Sequence, residues 1–204
     1  MHVFLETERM VLRRLTGADA ELLCELDSDP EVMRWLSGGA PTPLELIRDE
    51  ILPRFMSYYD QAGGLGYWAA NEKESREFLG WFALHPVDDR PGDEAEVGYR
   101  LRRAAWGKGY ATEGVRALLR KGFEEHGLLR VFGTTYEENV ASRRVMEKAG
   151  MRLVRTFRLS PEDATGGGTY VSTGEAWDGD DVEYAIERGP HPPAPSPDFA
   201  GEGE

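Results

Sequence analysis

The chain has 204 residues, is 40% hydrophobic and 30% charged, and carries a formal net charge of −13. That suffices for one sizeable core, while the acidic balance argues against nucleic-acid binding and no apolar run approaches the length of a membrane span. The single cysteine, Cys24, has no partner for an internal disulfide, and Glu6, Glu8 and three arginines stand where a secretory leader would be apolar, so a cytoplasmic location is expected.

Residues 9–15 alternate apolar and basic and predict a first strand. Thr16 to Asp19 offer caps for a helix to about Asp27, in which Cys24 reads as a buried structural thiol. Asp29-Pro30 opens a second helix, with Val32, Trp35 and Leu36 on its apolar face. After the Gly38-Gly39-Ala40-Pro41 break a longer helix runs to about Gln61, and Pro53 is expected to kink or restart it. The period then changes to two, giving strands over residues 66–71, 77–84 and 94–101. In the last, Ala95, Val97, Tyr99 and Leu101 share one face, and Glu94, Glu96, Gly98 and Arg100 the other.

A helix over residues 111–126 buries Ala111, Val115, Leu118, Leu119 and Phe123 along one stripe. A strand over 130–136 follows, then a short helix capped by Asn139 and stopped at Gly150. Strands over 151–159 and 181–188 close the sheet. The intervening segment, 160–180, either folds over the site as a lid or is mobile. One domain thus spans 1–188, and the five prolines of 189–204 predict a disordered tail.

The stretch from Trp106 to Met151 organises the rest. Gly107 and Gly109 allow close backbone approach at a turn that opens a helix, and a helix N-terminus attracts anions. Residues 100–121 hold seven basic side chains against one acid, Glu113, which makes them +6 and the remainder −19. A basic island in an acidic chain suggests a specific polyanionic ligand, the alternative being a solvated helix face. The Walker spacing fails, since Gly107-Lys108 is followed by Gly109. The dinucleotide fingerprint fails too, since Thr112 occupies its third glycine position.

EVGYRL, WGKGYATEG and NVASRRVMEKAGM, in this order, resemble the acetyl-CoA-binding core of the GNAT N-acetyltransferases, and of their RimJ/RimL-type branch in particular. Trp106-x-x-Gly109-x-Ala111 is similar to the general Arg/Gln-x-x-Gly-x-Gly/Ala signature, and Asn139-x-x-Ser142 with Glu147-Lys148-Ala149-Gly150 is similar to the branch's second motif. The resemblance implies an α/β (α+β) fold whose mostly antiparallel mixed sheet, flanked by helices, contains a parallel, splayed strand pair. It implies acetyl-CoA as cofactor, with pyrophosphate on Trp106, Gly107, Lys108, Gly109, Tyr110, Ala111 and Thr112 and with Arg102, Arg103 and Arg143 nearby. The pantetheine arm would lie along Val97 and Tyr99, with Asn139 as a donor or acceptor for it and Ser142 at its sulfur.

The chemistry implied is direct attack of a primary amine on the thioester, with no metal. Glu96 is the first candidate base; it could equally be a surface carboxylate or pair with Arg100. Glu137 and Glu138 are weaker candidates, and His85 could act through water. Many relatives have a tyrosine acid where Met146 stands here, which leaves Ser142 or Tyr136 as the substitute, or Ser142 hydrogen-bonding the sulfur while a water carries the proton. Trp35, Tyr58 and Trp68 are candidates for lining the acceptor pocket, although aromatics at such spacing are commonly core. The acceptor is a protein N-terminus or a small amine, a homodimer is compatible with the resemblance, and the alternative is a catalytically silent acetyl-CoA sensor or scaffold.

Overall fold

The computed structural model describes residues 2–61, 64–86, 92–158 and 179–189. Eight strands form one sheet: β1 (Val3–Glu6), β2 (Met10–Arg14), β3 (Gly66–Glu72), β4 (Phe78–His85), β5 (Glu94–Leu101), β6 (Arg130–Tyr136), β7 (Arg152–Phe157) and β8 (Asp181–Glu187). Their order is β1-β2-β3-β4-β5-β6-β8-β7, and every neighbouring pair is antiparallel except β5–β6. The mixed sheet with one parallel pair agrees with the fold class read from the sequence.

Strand alternation sends two sets of side chains to opposite faces. On one face, Trp68, Phe82, Val97, Val131 and Tyr184 pack with Val115 and Leu118 of α5 (Tyr110–Glu124) and Met146 of α6 (Val140–Lys148). On the other, Tyr67, Ala69, Trp81 and Ala83 meet Leu23 and Leu26 of α1 (Ala20–Asp27) and Val32 of α2 (Pro30–Ser37). The same layer continues through α3 (Leu44–Leu46), a π turn (Ile47–Ile51) and α4 (Leu52–Gln61). Each large apolar side chain fully buried between these layers contributes about 1.5–3 kcal/mol.

Three details differ from expectation. β1 was not foreseen; it is a four-residue edge strand, held by stacking of Phe4 on Trp68 at 3.8 Å between ring centroids. Helical geometry runs without interruption from Leu44 to Gln61, and the accommodation to Pro53 is the π turn before it, whose wider winding relieves the clash of a proline ring with the preceding turn. Trp68 is 1% exposed in the α5-side core, because it shares the strand parity of Ala70 and not that of Tyr67. It therefore lines no acceptor pocket. The 160–180 segment and the proline-rich tail lie almost wholly outside the described residues, as does most of the loop after Pro86. Among the described residues, no helix is long and apolar enough to cross a membrane.

α5 sits close to the sheet because Gly114 lacks a β-carbon: one placed there would lie 2.3 Å from the Phe82 ring. Phe82 is fully buried and cannot retreat. Gly114→Ala is expected to lower stability by about 1–3 kcal/mol, read as a fall in the urea midpoint, despite alanine's better helix propensity.

Candidate active site

β5 and β6 are registered only at Glu94–Glu96 against Arg130–Phe132, although β5 continues to Leu101 and β6 to Tyr136. Past that vertex, Tyr99 reaches across from β5 to the first turn of α6. Its hydroxyl lies 3.1 Å from the Ser142 carbonyl oxygen and 2.9 Å from Ser142 Oγ. Burial pushes the Tyr99 hydroxyl well above the usual phenol range, so it stays a neutral donor. Asn139 caps α6 by accepting from the Ser142 amide at 3.2 Å and donates through Nδ2 to Thr135 Oγ1 at 3.1 Å. Both ends of its amide are thus engaged in the fold.

At the open end of the splay the chain turns through Arg103–Ala105 and two left-handed glycines, Gly107 (φ 71°) and Gly109 (φ 84°). A β-carbon at Gly107 would meet nothing within 4 Å, so the turn faces open space. Gly109 is the N-cap of α5, with no side-chain cap over the first-turn amides. Such an uncapped N-terminus is an anion site. Half-exposed Trp106 is pinned by its indole N–H, which donates to the Leu101 carbonyl at 2.8 Å.

The turn is held by a residue that sequence reasoning missed. Arg9 donates to the Lys108 carbonyl at 2.9 Å and through Nε to Glu113 at 2.7 Å, its backbone amide donates to the same carboxylate, and its guanidinium lies 4.3 Å over the Tyr110 ring. The Tyr110 hydroxyl bonds to Glu72, so that side chain anchors α5 to β3 and turns away from the loop. An arginine between β1 and β2 carried no spacing signal linking it to a glycine turn a hundred residues later.

The basic island is largely neutralised within the fold. Arg100 forms a buried ion pair with Asp27 at 2.6 Å, Arg102 pairs with Glu25, and Arg103 pairs with Asp29 at 3.3 Å. The guanidiniums of Arg102 and Arg103 are thus drawn toward α1 and the start of α2, not left free beside the turn. Arg116 donates to the Lys148 carbonyl, and Arg143 to the Glu137 carbonyl and the Tyr184 hydroxyl. Lys108, at the turn itself, is exposed.

On the opposite face of the splay, Glu96 and His85 are adjacent across β4 and β5. Glu96 is 6% exposed and accepts from Thr134 Oγ1 at 3.0 Å. It does not pair with Arg100, which Asp27 holds. His85 is 1% exposed, and its Nδ1 sits 2.9 Å from the Pro86 carbonyl, which assigns that nitrogen the proton. In the neutral ring Nε2 is then an acceptor; it has no hydrogen-bond partner among the described residues and faces Glu96 Oε2 at 3.9 Å. Two acceptors at that separation leave a place for a donor between them. Tyr67 stacks on His85 at 5.1 Å and Tyr58 lies 5.6 Å from it. Tyr58 thus borders this cluster, and Tyr67 is a further member the sequence did not single out.

Farther along the same face, the rings of Trp35 and Tyr136 lie 6.5 Å apart, and Tyr136 is registered opposite Asp181. Tyr136 shares the parity of Thr134, so it faces away from α6 and Ser142. A separate cleft of about 820 Å³, bordered by Arg13, Arg14, Met56 and Tyr59, lies toward the β1–β2 edge and contains none of these residues.

Residues 9–152 match the family model described as acetyltransferase (GNAT) domain. The chain belongs to the GNAT acetyltransferases. It is 38% identical over 160 residues to the FsC-acetyl coenzyme A-N(2)-transacetylase of Aspergillus fumigatus, covering 75% of this chain and 66% of that protein, so the chain spans just under two thirds of this curated relative. A solved GNAT-family acetyltransferase from Bacillus anthracis superposes with a TM-score of 0.72 at 28% identity, over 92% of this chain and 98% of that one. RimL, the ribosomal L7/L12 α-N-protein acetyltransferase solved with coenzyme A, shares the fold with a TM-score of 0.71 at 16% identity, over 91% and 98% of the two chains.

Proposed function

We propose that this GNAT domain transfers the acetyl group of acetyl-CoA to a primary amine by direct attack in a ternary complex. The observation that carries the reading is the three-residue pairing of β5 with β6, whose splay opens beside the uncapped, glycine-lined start of α5. The backbone amides from Trp106 to Thr112, with Lys108, hold the pyrophosphate. The pantetheine arm enters the splay along Val97 and Tyr99, which brings its sulfur toward Ser142. Acetyl-CoA as donor points to the cytoplasm as the working compartment.

An attacking amine must lose a proton, and the gap between His85 Nε2 and Glu96 Oε2 is where the acceptor's N–H, or a water relaying its proton, finds two acceptors. Glu96 takes the proton and Thr134 steadies the other carboxylate oxygen. A backbone amide of β5 donates to the developing oxyanion. The departing thiolate is met by Ser142, whose hydroxyl hydrogen is free to turn to sulfur when Tyr99 donates to Ser142 Oγ. Tyr136, on the other face, is the weaker candidate for this step.

The silent-module reading rests on Met146, which is 1% exposed and packs beneath Gly133. The adjacent Tyr99–Ser142 pair supplies the donor that methionine cannot. Ser142→Ala is expected to lower kcat about 10²-fold with little change in the KM for acetyl-CoA. Tyr99→Phe should give a smaller loss in the same parameter. Thiol release at saturating amine measures both; unchanged kcat in Ser142→Ala would assign the thiolate's proton to water.

A further inference from the structure

Asp181 begins β8 at the open end of the splay and shares the sheet face of Glu96, Thr134 and Tyr136. It is 7% exposed, and its carboxyl has no hydrogen-bond or ion-pair partner among the described residues. Every other carboxylate buried on this face is engaged: Glu183 by Arg130 and Arg155, Asp27 by Arg100, Glu96 by Thr134. Nearly burying an unpaired carboxylate is unfavourable unless a counter-charge arrives. Residues 159–178, which precede Asp181 in sequence, contain four acids and no lysine, arginine or histidine. Arg158, just past the end of the adjacent strand β7, is 3.0 Å from Asp180 instead.

We infer that Asp181, beside the Trp35–Tyr136 aromatic pair, is a subsite for a second cationic group of the acceptor amine. The inference rests on the transferase reading and narrows its acceptor to molecules carrying two ammonium groups. Asp181 lies four residues along β6 from Phe132, which is registered with Glu96, and one strand beyond β6, which puts its Cα about 16 Å from that of Glu96. The reacting nitrogen sits at Glu96 and His85 while the second, still protonated, pairs with Asp181. Burial, with like charge from Asp180 and Glu138, pushes the Asp181 carboxyl up to about 6. It is therefore ionised, and able to hold a cation, above that pH and neutral below it. Among the described residues, Glu138, the Arg158–Asp180 pair and, over the Trp35 ring, Arg34 are charged groups on the elements beside it.

The test compares α,ω-diamines of increasing length with monoamines of matched length, as acceptors and as ligands titrated calorimetrically into the protein with coenzyme A. Wild-type protein should favour diamines at least tenfold in kcat/KM and in affinity, with an optimum among the longer chains, whose two nitrogens bridge from Glu96 to Asp181. Asp181→Asn should erase that preference and leave monoamine turnover unchanged, and the wild-type ratio should shrink as pH falls below about 6. A thermal melt of the variant checks its folding, and Asp181→Glu should shift the optimum length. Equal turnover of diamines and monoamines, or a preference that survives Asp181→Asn, would overturn the subsite while the transferase stands. A diamine preference in binding, lost in Asp181→Asn, without turnover of any amine would uphold the subsite and sink the transferase reading.

Discussion

Gly109→Val is expected to lower acetyl-CoA affinity at least tenfold while the protein still unfolds cooperatively. Gly109 is left-handed at φ 84°, a conformation that costs a β-branched residue about 1–3 kcal/mol. Space is not the obstacle, since the nearest atom to an added β-carbon is Arg9 Nη2 at 3.5 Å. The strain relaxes by rotating the N-cap, which turns the first-turn amides of α5 away from a common point and puts a branched side chain where a diphosphate would approach. A tenfold loss corresponds to about 1.4 kcal/mol, within reach of strain alone. Arg9→Ala should weaken binding less, because it releases the turn from β2 without altering its backbone preference. Calorimetric titration measures both, and undiminished affinity in Gly109→Val would remove the turn from the cofactor site.

Glu96→Gln is expected to lower kcat by 10²-fold or more with acetyl-CoA affinity unchanged. The amide oxygen of glutamine can still accept from Thr134, so the local structure survives while the proton acceptor is lost. His85→Gln should give a smaller loss, because its imidazole shares the proton's location without being the charged acceptor. A solvent-accessible base elsewhere would leave Glu96→Gln near wild-type turnover across amines, and single-turnover kinetics would separate that from slow product release.

The fold was legible because its periodicities were. The switch from period 3.6 to period 2 after residue 63, the two faces of residues 94–101 and the Asn139 cap all reappear in the structure. β1 was missed because a four-residue edge strand carries too little alternation to register. Trp68 was misplaced because parity within β3 could not be assigned to a face without knowing which layer covers it. The glycine turn was visible as a local motif, whereas its anchor Arg9 and the acids at 25, 27 and 29 that neutralise Arg102, Arg100 and Arg103 are far from it in sequence. Charge counting along the chain could show the +6 island but not its internal pairing. The juxtaposition of His85 with Glu96, and of Asp181 with Tyr136, depends on strand order, which no single-strand pattern contains.

Thiol release from acetyl-CoA, followed with and without amines and including diamines, monoamines and peptides with free N-termini, tests the central claim most directly. Release that requires an amine and falls together with Glu96→Gln and Ser142→Ala is the expected result. Tight acetyl-CoA binding with no amine-dependent release from any acceptor would contradict it.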